Sequence, residues 1–589
     1  MARQESTVTL KCVDLASKNK QPASAPKGAK AKSLGAYYTP GPAVDFMVRW
    51  AIQDKEHKVI DPSFGNGQFL RATASEAKLT NPKEQIFGIE LDKETFEASK
   101  PILEVQYNIF HLWNDDFFKS DTFFKSHFGP KIPVESFDAV VGNPPFIRYQ
   151  TFKGEERNYA LERAREHGVK LPGHASSWAP FLVHAVSLIK PGGRLAMVVP
   201  AELSHAAYAK NVLNYLLEQF TNLTILTFQK RLFPKLGEDT FIVLGDKRGQ
   251  QTKCLTLVDV KEEANLETFK KTFDSIGVVR KFKLRELESL KSHKTKLLEY
   301  LLDDGSRTLY TSLKEKAGAD QAIKTLGSVA KVGIGYVTGD NKFFHPSAET
   351  IKEFGLSKKY LEPCIRRSNN LRGLFVTKND WAHDDEPKKW LLKLPAKRSF
   401  TDLPKNVQSY LEHGKEQGVL NRFKVKSRDP WYSVPHIKKG DAFLTYMSNG
   451  APRLVHNALG FPAPNSLHIV NLEEKLYDKI DIKLLVVAWY TSLTFLSAEI
   501  EGHSLGGGML KLEPSEAKKV LVALPKKIAS TQLNEAYKHI DQRLRENNLE
   551  AALDAGDQLI LRKGLKMKVR ECKLLRQGYY YLRDRRMNR

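Results

Sequence analysis

KVIDPSFGNGQFLRATASEA, residues 58–77, decides the fold class. Two β-branched residues run into the acid Asp61, a turn follows with glycines at 65 and 67, and from Gln68 the apolar residues fall at helical spacing. A strand passing through a Gly-rich turn into a helix is the opening half of a βαβ unit. The surrounding sequence repeats the alternation. AVDFMVRWAI (43–52) reads as a helix before it, and QIFGIELD (85–92) and FDAVVGNPPF (137–146) as strands after it. FLVHAVSLI (181–189) is a helix stopped by KPGG, RLAMVVP (194–200) is the next strand, and TILTF (224–228) and TFIVLGDK (240–247) close the series. This order predicts an α/β fold built on a parallel, doubly wound sheet, with ligands at the carboxyl ends of its strands.

The chain has 589 residues, and its 41% hydrophobic and 10% aromatic content excludes wholesale disorder. No apolar run reaches the roughly 18–20 residues needed to cross a bilayer. The opening MARQESTVTLKCVDLASKNK lacks the apolar stretch of a secretory signal. Four scattered cysteines (12, 254, 364 and 572), without any C-x-x-C pair, argue against a disulfide framework and a cysteine zinc site and fit a reducing cytoplasm. The formal charge of +24 is unevenly placed. Residues 1–33 carry +5, residues 34–250 sum to zero and residues 251–589 carry +19, of which 561–589 hold +9. A neutral front half joined to a cationic back half suggests chemistry in front and a polyanion held behind; lysine kept for solubility is the plainer alternative.

The unusual residues cluster at strand ends. Asp61-Pro62-Ser63-Phe64-Gly65-Asn66-Gly67 lets the backbone turn sharply beside a helix N-terminus, which suits a nucleotide-like ligand, although some such loops serve only as turns. Glu90 ends the next strand, where a carboxylate either accepts ribose hydroxyls or is an ordinary solvated acid. Asp116 and Phe117 suit the amino edge and ring of an adenine, or are a surface acid beside a core aromatic. Asn143-Pro144-Pro145-Phe146 follows a buried strand. The prolines fix the chain and deprive it of two N–H donors, leaving the Asn143 amide oxygen and the Pro144 carbonyl as acceptors beside an aromatic face. Such a pair suits an exocyclic NH2 on a planar base.

In this order the motifs GAYYTP (35–40), DPSFGNGQFLRA (61–72), GIELD (88–92), DDFF (115–118) and GNPPF (142–146) resemble the gamma group of amino-methylating DNA methyltransferases, the TaqI-like adenine-N6 enzymes above all. HASSWAPFLVHAVSLIKPGGRLAMVVPAEL (174–203) and RLFPKLGEDTFIVL (231–244) continue the match. LGSVAKVGIGYVTGDNKFF (326–344) and LGGGMLKLEPSEAKKVLVALP (505–525) resemble the target-recognition domain of such enzymes. The resemblance implies a Rossmann-like methyltransferase sheet, then a mixed α+β recognition domain and a helical tail. The expected boundaries are a flexible basic arm at 1–33, the catalytic domain at 34–262, a helical connector at 263–322, the recognition domain at 323–525 and a basic helical tail at 526–589.

The resemblance further implies S-adenosylmethionine as donor, S-adenosylhomocysteine as product, and no metal. Thr39, Asp61, Pro62, Phe64, Gly65 and Gly67 would contact the methionine part, Glu90 the ribose, and Asp116 and Phe117 the adenine, with Asn143 adjoining. Asn143, Pro144, Pro145 and Phe146 would form the catalytic loop, with Phe146 and Phe233 stacking on a flipped adenine. Phe146 stands where tyrosine is frequent, which keeps the stacking face and loses a hydroxyl. The implied partner is double-stranded DNA, in a bacterial cytoplasmic enzyme sufficient as a monomer, serving a restriction-modification or related defence system; whether a separate cognate endonuclease accompanies it is left open by the sequence. Competing readings are an amino methyltransferase acting on cytosine N4, RNA or a protein glutamine, a specificity component without catalysis, and a fused nuclease. The last is opposed by the short arm and the lack of a nuclease string. The polar stretch 147–175 reads as a loop moving over DNA or donor, with Arg148, Lys153 and Arg157 near phosphates, and the terminal cations read as a phosphate grip.

Overall fold

The computed structural model describes residues 39–588, apart from 120–134, 149, 234–238, 253, 270–271, 283, 293–294, 319–320, 383–389, 396–398 and 477–479. The arm at 1–33 and most of GAYYTP lie outside the described residues. Two compact units divide the chain. One comprises the chain up to Pro200 with Tyr208–Thr227 and Phe241–Phe282; the other comprises Ala201–Ala207, Phe228–Thr240 and Lys283–Arg589.

The first unit opens with α1 (Gly41–Ala51), whose early proline suits a first helical turn, then β1 (Val59–Asp61) and α2 (Gln68–Glu76). Next come β2 (Ile86–Ile89), α3 (Lys93–Tyr107), β3 (His111–Trp113) and β4 (Phe137–Gly142). After α4 (Gly154–Glu166) and α5 (Trp178–Ser187) the chain forms β5 (Ile189–Pro200), α6 (Ala209–Gln219), β6 (Phe220–Phe228), β7 (Thr240–Arg248), β8 (Cys254–Val260) and β9 (Gly277–Lys281). The sheet order is β3-β2-β1-β4-β5-β7-β6-β8-β9. Every residue of β4 is buried, as is every residue of α5, so both read as near-continuous apolar runs rather than alternating ones. Val140 and Val141 are fully buried, each stabilising the sheet by about 1.5–3 kcal/mol.

Strands β1 to β5 pair in parallel, whereas β6 and β7, and β8 and β9, are antiparallel. The sheet is therefore doubly wound but mixed, not parallel throughout. The link 229–239 between β6 and β7 is shorter than the dozen or more residues a parallel crossover needs. A second correction concerns 263–322. This stretch supplies β9, paired with β8 at the sheet edge, besides helices at Leu284–Lys291 and Asp304–Glu315. Its lysines and glutamates disguise a strand that is half exposed along its length.

The order places β1 between β2 and β4. The chain winds outward from β1 to β3 and returns to β4, making the β1–β4 boundary the switch point at which a crevice opens. Asp61 and Gly142 end those two strands.

The second unit holds a four-stranded antiparallel sheet (Ala330–Ile334, Leu467–Leu472, Ala442–Thr445 and Leu454–His456) and a three-stranded one joining Met447–Ser448, Met509–Lys511 and His503–Leu505. Helices Ser492–Glu501, Ser530–Arg545 and Val569–Met587 accompany them. The terminal helix changes the reading of the tail's charge. Arg586 is buried and forks onto Glu499 at 2.7 and 3.0 Å, and Arg576 pairs with Asp557 at 2.8 Å. These cations anchor the helix and are not available as phosphate contacts. Among the described residues of 561–589, the exposed cations are Arg562, Lys563, Lys566, Lys568, Arg570 and Lys573.

The Arg586 and Glu499 side chains are only 4% and 2% exposed, so removing one partner strands a buried charge. Arg586→Ala is expected to destabilise the protein by about 3–5 kcal/mol. The double change Arg586→Met with Glu499→Leu should restore part of that loss. Urea unfolding followed by the helical signal reads both; an Arg586→Ala midpoint equal to wild type would contradict the anchor.

Candidate functional site

At the end of β1 the turn is held by its own backbone. The Phe64 N–H donates to the Ile89 carbonyl at 3.1 Å, and the Gly67 N–H donates to the Phe64 carbonyl at 2.8 Å. Gly67 has φ +77 where it caps α2, and a Cβ there would lie 2.7 Å from Leu103, so glycine is required twice over. Glu90 ties two strand ends together, since one carboxylate oxygen accepts the Gly65 N–H and the other the Asp92 N–H, each at 2.8 Å. A carboxylate oxygen has a second lone pair, so Glu90 retains acceptor capacity toward a ligand. Its burial pushes its pKa above the ordinary carboxylate range.

The end of β4 approaches the same place. A Cβ on Gly142 would sit 2.8 Å from Asp61 Oδ1, so this glycine lets the two strand ends close up. The Ser63 hydroxyl donates to the Asn143 carbonyl at 3.2 Å, joining the Gly-rich turn to the Asn-Pro-Pro loop. Beyond the prolines, Ser177 holds the loop. Its backbone N–H donates to the Ile147 carbonyl at 3.0 Å, its hydroxyl accepts the Ile147 N–H at 2.8 Å, and that hydroxyl also donates to the Pro145 carbonyl. One serine thus supplies contacts that a proline-terminated strand cannot supply for itself.

These elements enclose a cavity of about 320 Å³. Its wall includes Thr39, residues 62–66, 90–93 and 115–118, Asn143, Pro145 and Ile147, with Phe152, Glu156, Ser177 and Phe181. Among the described residues five carboxylates line it (Glu90, Asp92, Asp115, Asp116 and Glu156) against the single cation Lys93, so this wall is electronegative. Asp116 has its pKa raised by burial, while Asp116 Oδ1 accepts the Phe118 N–H at 3.0 Å. Phe117 packs on Phe181 and His184 with ring centroids 4.5 and 4.6 Å away. Burial lowers the His184 pKa to about 3, so that ring is neutral and serves as packing.

The buried polar atoms without a hydrogen-bond partner among the described residues include the Thr39 hydroxyl and Asp61 Oδ2, both in the loops of the site. Asp61 Oδ1 accepts the Ser63 N–H at 3.0 Å, and burial pushes the Asp61 pKa up to about 8.

The expected site residues divide as follows. Thr39, Pro62, Phe64, Gly65, Glu90, Asp116, Phe117, Asn143 and Pro145 come together around the cavity. Asp61, Gly67, Pro144 and Phe146 sit in the same loops without lining it, and Phe146 is buried. Phe233 is also buried and belongs to the second unit.

The residues that sequence reading missed come from 147–181. This stretch contains the helix α4, which packs on α5, with Arg163 donating to the Phe118 carbonyl at 2.9 Å. The buried face of α4 is only Ala160 and Ala164, an i, i+4 pair too small to give a hydrophobic period amid so much charge. Phe152, Ser177 and Phe181 were individually visible as an isolated aromatic and a helix start.

Residues 25–282 match the family described as N-6 DNA methylase, and residues 294–561 match the C-terminal domain of type II methyltransferase M.Eco57I. The chain is 24% identical to type II methyltransferase M.AccI of Acinetobacter calcoaceticus over 537 residues, covering 90% of this chain and 92% of the relative. It is 22% identical to type II methyltransferase M.XamI of Xanthomonas campestris pv. amaranthicola, covering 84% and 86%. Type II methyltransferase M.TthHB8I of Thermus thermophilus is 31% identical over a shorter stretch, 31% of this chain and 38% of the relative. Among solved structures, the type IIL restriction-modification enzyme MmeI in complex with DNA shares the fold, with a TM-score of 0.53 at 13% identity over 94% of this chain and 80% of that one.

Asp61 sets a pH signature. Its folded pKa lies well above that of an ordinary aspartate, so between about pH 4 and pH 8 the unfolded chain gives up a proton that the folded chain keeps. Its contribution to stability therefore falls as pH rises through that window. Asp61→Asn should gain stability relative to wild type as pH goes from 4 to 8, measured by urea unfolding at each pH. A pH-independent difference between the two proteins would contradict a buried, largely protonated Asp61 at neutral pH.

Proposed function

For this chain, which is a DNA N6-adenine methyltransferase of restriction-modification type with an M.Eco57I-type C-terminal domain, we propose sequence-specific methylation of a flipped-out adenine in duplex DNA with S-adenosylmethionine as donor. The observation that carries the reading is the joining of two loops at one crevice, the Gly-rich turn after β1 and Asn143-Pro144-Pro145 after β4.

The cavity suits the donor. Glu90 offers acceptors toward ribose hydroxyls, Asp116 an acceptor toward an adenine amine, Phe117 a ring face, and Thr39 a buried hydroxyl with hydrogen-bonding capacity left over. The anionic wall favours a cationic ligand, and bound S-adenosylmethionine supplies a methyl carbon made electrophilic by its positive sulfonium. The same wall favours this donor over its neutral-sulfur product, which assists turnover.

An adenine amine inside a duplex is paired and stacked, so the base has to leave the helix. Unstacking costs a few kcal/mol, offset by stacking on Phe146 and Phe233 at about 1–3 kcal/mol per aromatic contact. The Asn143 side-chain oxygen and the Pro144 carbonyl accept the two N6 hydrogens. These contacts draw the nitrogen lone pair out of conjugation with the ring and aim it along the line of attack. As nitrogen gains positive charge, the same two acceptors stabilise it, and positioning does the remainder. The Ser177 brace fixes the loop and removes the need for reorganisation during the step.

The remaining parts fall into place around that step. Methyl transfer belongs to 34–262, sequence reading to 323–525, and a phosphate grip to the exposed cations at the start of the terminal helical segment. The biological role is to mark a site cut by a separate cognate endonuclease, in keeping with the type II methyltransferases the chain resembles.

Asn143→Ala should abolish methyl transfer to plasmid DNA while leaving donor affinity, measured by calorimetry, within about threefold. An Asn143→Ala protein with near wild-type turnover would refute the catalytic assignment. Neutralising Lys563, Lys566, Lys568 and Arg570 should weaken DNA binding and reduce the slope of log K against log salt by about 3–4, at about 0.9 per phosphate contact, without changing the methylated sequence. An unchanged slope would place the grip elsewhere.

A further inference from the structure

The loop between β6 and β7 is held at both ends by a buried polar cluster. Arg231 and Asp239 close its neck as an ion pair at 3.3 Å, with side chains 10% and 5% exposed. The Ser504 hydroxyl donates to Asp239 Oδ2 at 2.7 Å, and Arg231 reaches the Leu505 carbonyl at 3.5 Å. The Asp239 carbonyl accepts the Ala201 N–H at 2.7 Å. Beside this neck, His205 stacks on His503 with centroids 4.8 Å apart and planes 5° from parallel, and His503 Nδ1 lies 2.9 Å from a Glu516 oxygen. All of these residues belong to the second unit.

Two features show that the neck is a specific brace. First, the loop it closes carries Phe233, whereas the strands on either side of it, β6 and β7, pair with each other in the catalytic sheet. Second, Ser504 and Leu505 lie on strand His503–Leu505, which pairs with Met509–Lys511 and enters the glycine run Gly506–Gly508. The anchor is therefore a short strand of the C-terminal domain and not the sheet that bears the loop. A buried aspartate gripped by one guanidinium and one hydroxyl has little freedom, and the same contacts fix the main chain at both ends of the aromatic loop.

We propose that Arg231, Asp239 and Ser504 are positioning residues for methyl transfer, which hold Phe233 in the conformation that receives the extruded base. Through Ser504, the strand 503–505 of the C-terminal domain sets that conformation. None of the three touches donor or base; they act through Phe233. The inference rests on the reading of Phe233 as a stacking partner for the target base.

The test uses the full-length protein and a duplex carrying the site found by mapping methylated DNA. Five variants are compared: Asp239→Asn, Ser504→Ala, Ser504→Thr, Phe233→Ala and the double variant of Asp239→Asn with Phe233→Ala. Each is followed by single-turnover methyl transfer, S-adenosylmethionine affinity, and the fluorescence of 2-aminopurine placed at the target position. Asp239→Asn is expected to lower the single-turnover rate at least tenfold and to change the 2-aminopurine signal at saturating DNA by half or more, with donor affinity within twofold. Ser504→Ala should fall between this and wild type, and Ser504→Thr, which keeps the hydroxyl, should recover most of the rate. Adding Phe233→Ala to Asp239→Asn should cost little beyond either change alone, because both act on one step. A slow Phe233→Ala beside a wild-type Asp239→Asn would overturn the brace and leave the stacking reading standing. A wild-type rate for Phe233→Ala would overturn the stacking reading and the brace with it. Donor affinity lost in parallel with rate would show that Asp239 serves only folding, which also overturns the proposal.

Discussion

Two consecutive prolines at the end of a buried strand are the constraint on which the site depends. They remove two N–H donors from the chain where β4 leaves the sheet, so that the backbone there can accept hydrogen bonds but not satisfy its neighbours. The surrounding structure answers this locally. Ser63 donates to the Asn143 carbonyl from the β1 turn, and Ser177 donates to and accepts from the chain on either side of Ile147. The loop is thereby braced at Asn143, Pro145 and Ile147, and on the proposed reading its acceptors are aimed by the fold rather than recruited during reaction.

The second organising element is a set of carboxyl groups kept where burial penalises their ionised form. Asp61, Glu90 and Asp116 all have pKa values raised by desolvation, yet each is held by backbone N–H groups at a strand end. Such an arrangement is costly for the apo fold and worthwhile only if a ligand supplies donors or positive charge to the same atoms. The unpartnered Thr39 hydroxyl and Asp61 Oδ2 point the same way. The protein's overall charge of +24 has the opposite distribution: it lies in flanking regions, and part of it is spent internally. Arg586 on Glu499 and Arg576 on Asp557 show that a basic helix can owe its arginines to packing rather than to a polyanion.

Much of this was legible in the sequence because the informative residues are intolerant of substitution by type. Gly67 and Gly142 face neighbours at distances that exclude any side chain, and Pro144 and Pro145 have no equivalents, so the turn and loop announce themselves. The core strands and α5 were readable as apolar runs. What escaped reading had a weak amplitude or depended on distant partners. Helix α4 buries only two alanines, and β9 is Gly-Val-Val-Arg-Lys, with no alternating apolar face to mark it at a sheet edge. The antiparallel turn of β6 into β7 depends on link length rather than on the composition of either strand. The Asp239 brace joins positions 265 residues apart in the chain, and no local pattern in GEDTF (237–241) or HSLGG (503–507) marks them as partners.

Base-resolution mapping of modified DNA from cells expressing the protein tests the central claim most directly. The account requires N6-methyladenine at every copy of one short sequence and nowhere else, lost when Asn143 is replaced by alanine. Methylation of cytosine N4 at that sequence, or unmodified DNA beside methylated RNA or protein, would contradict it.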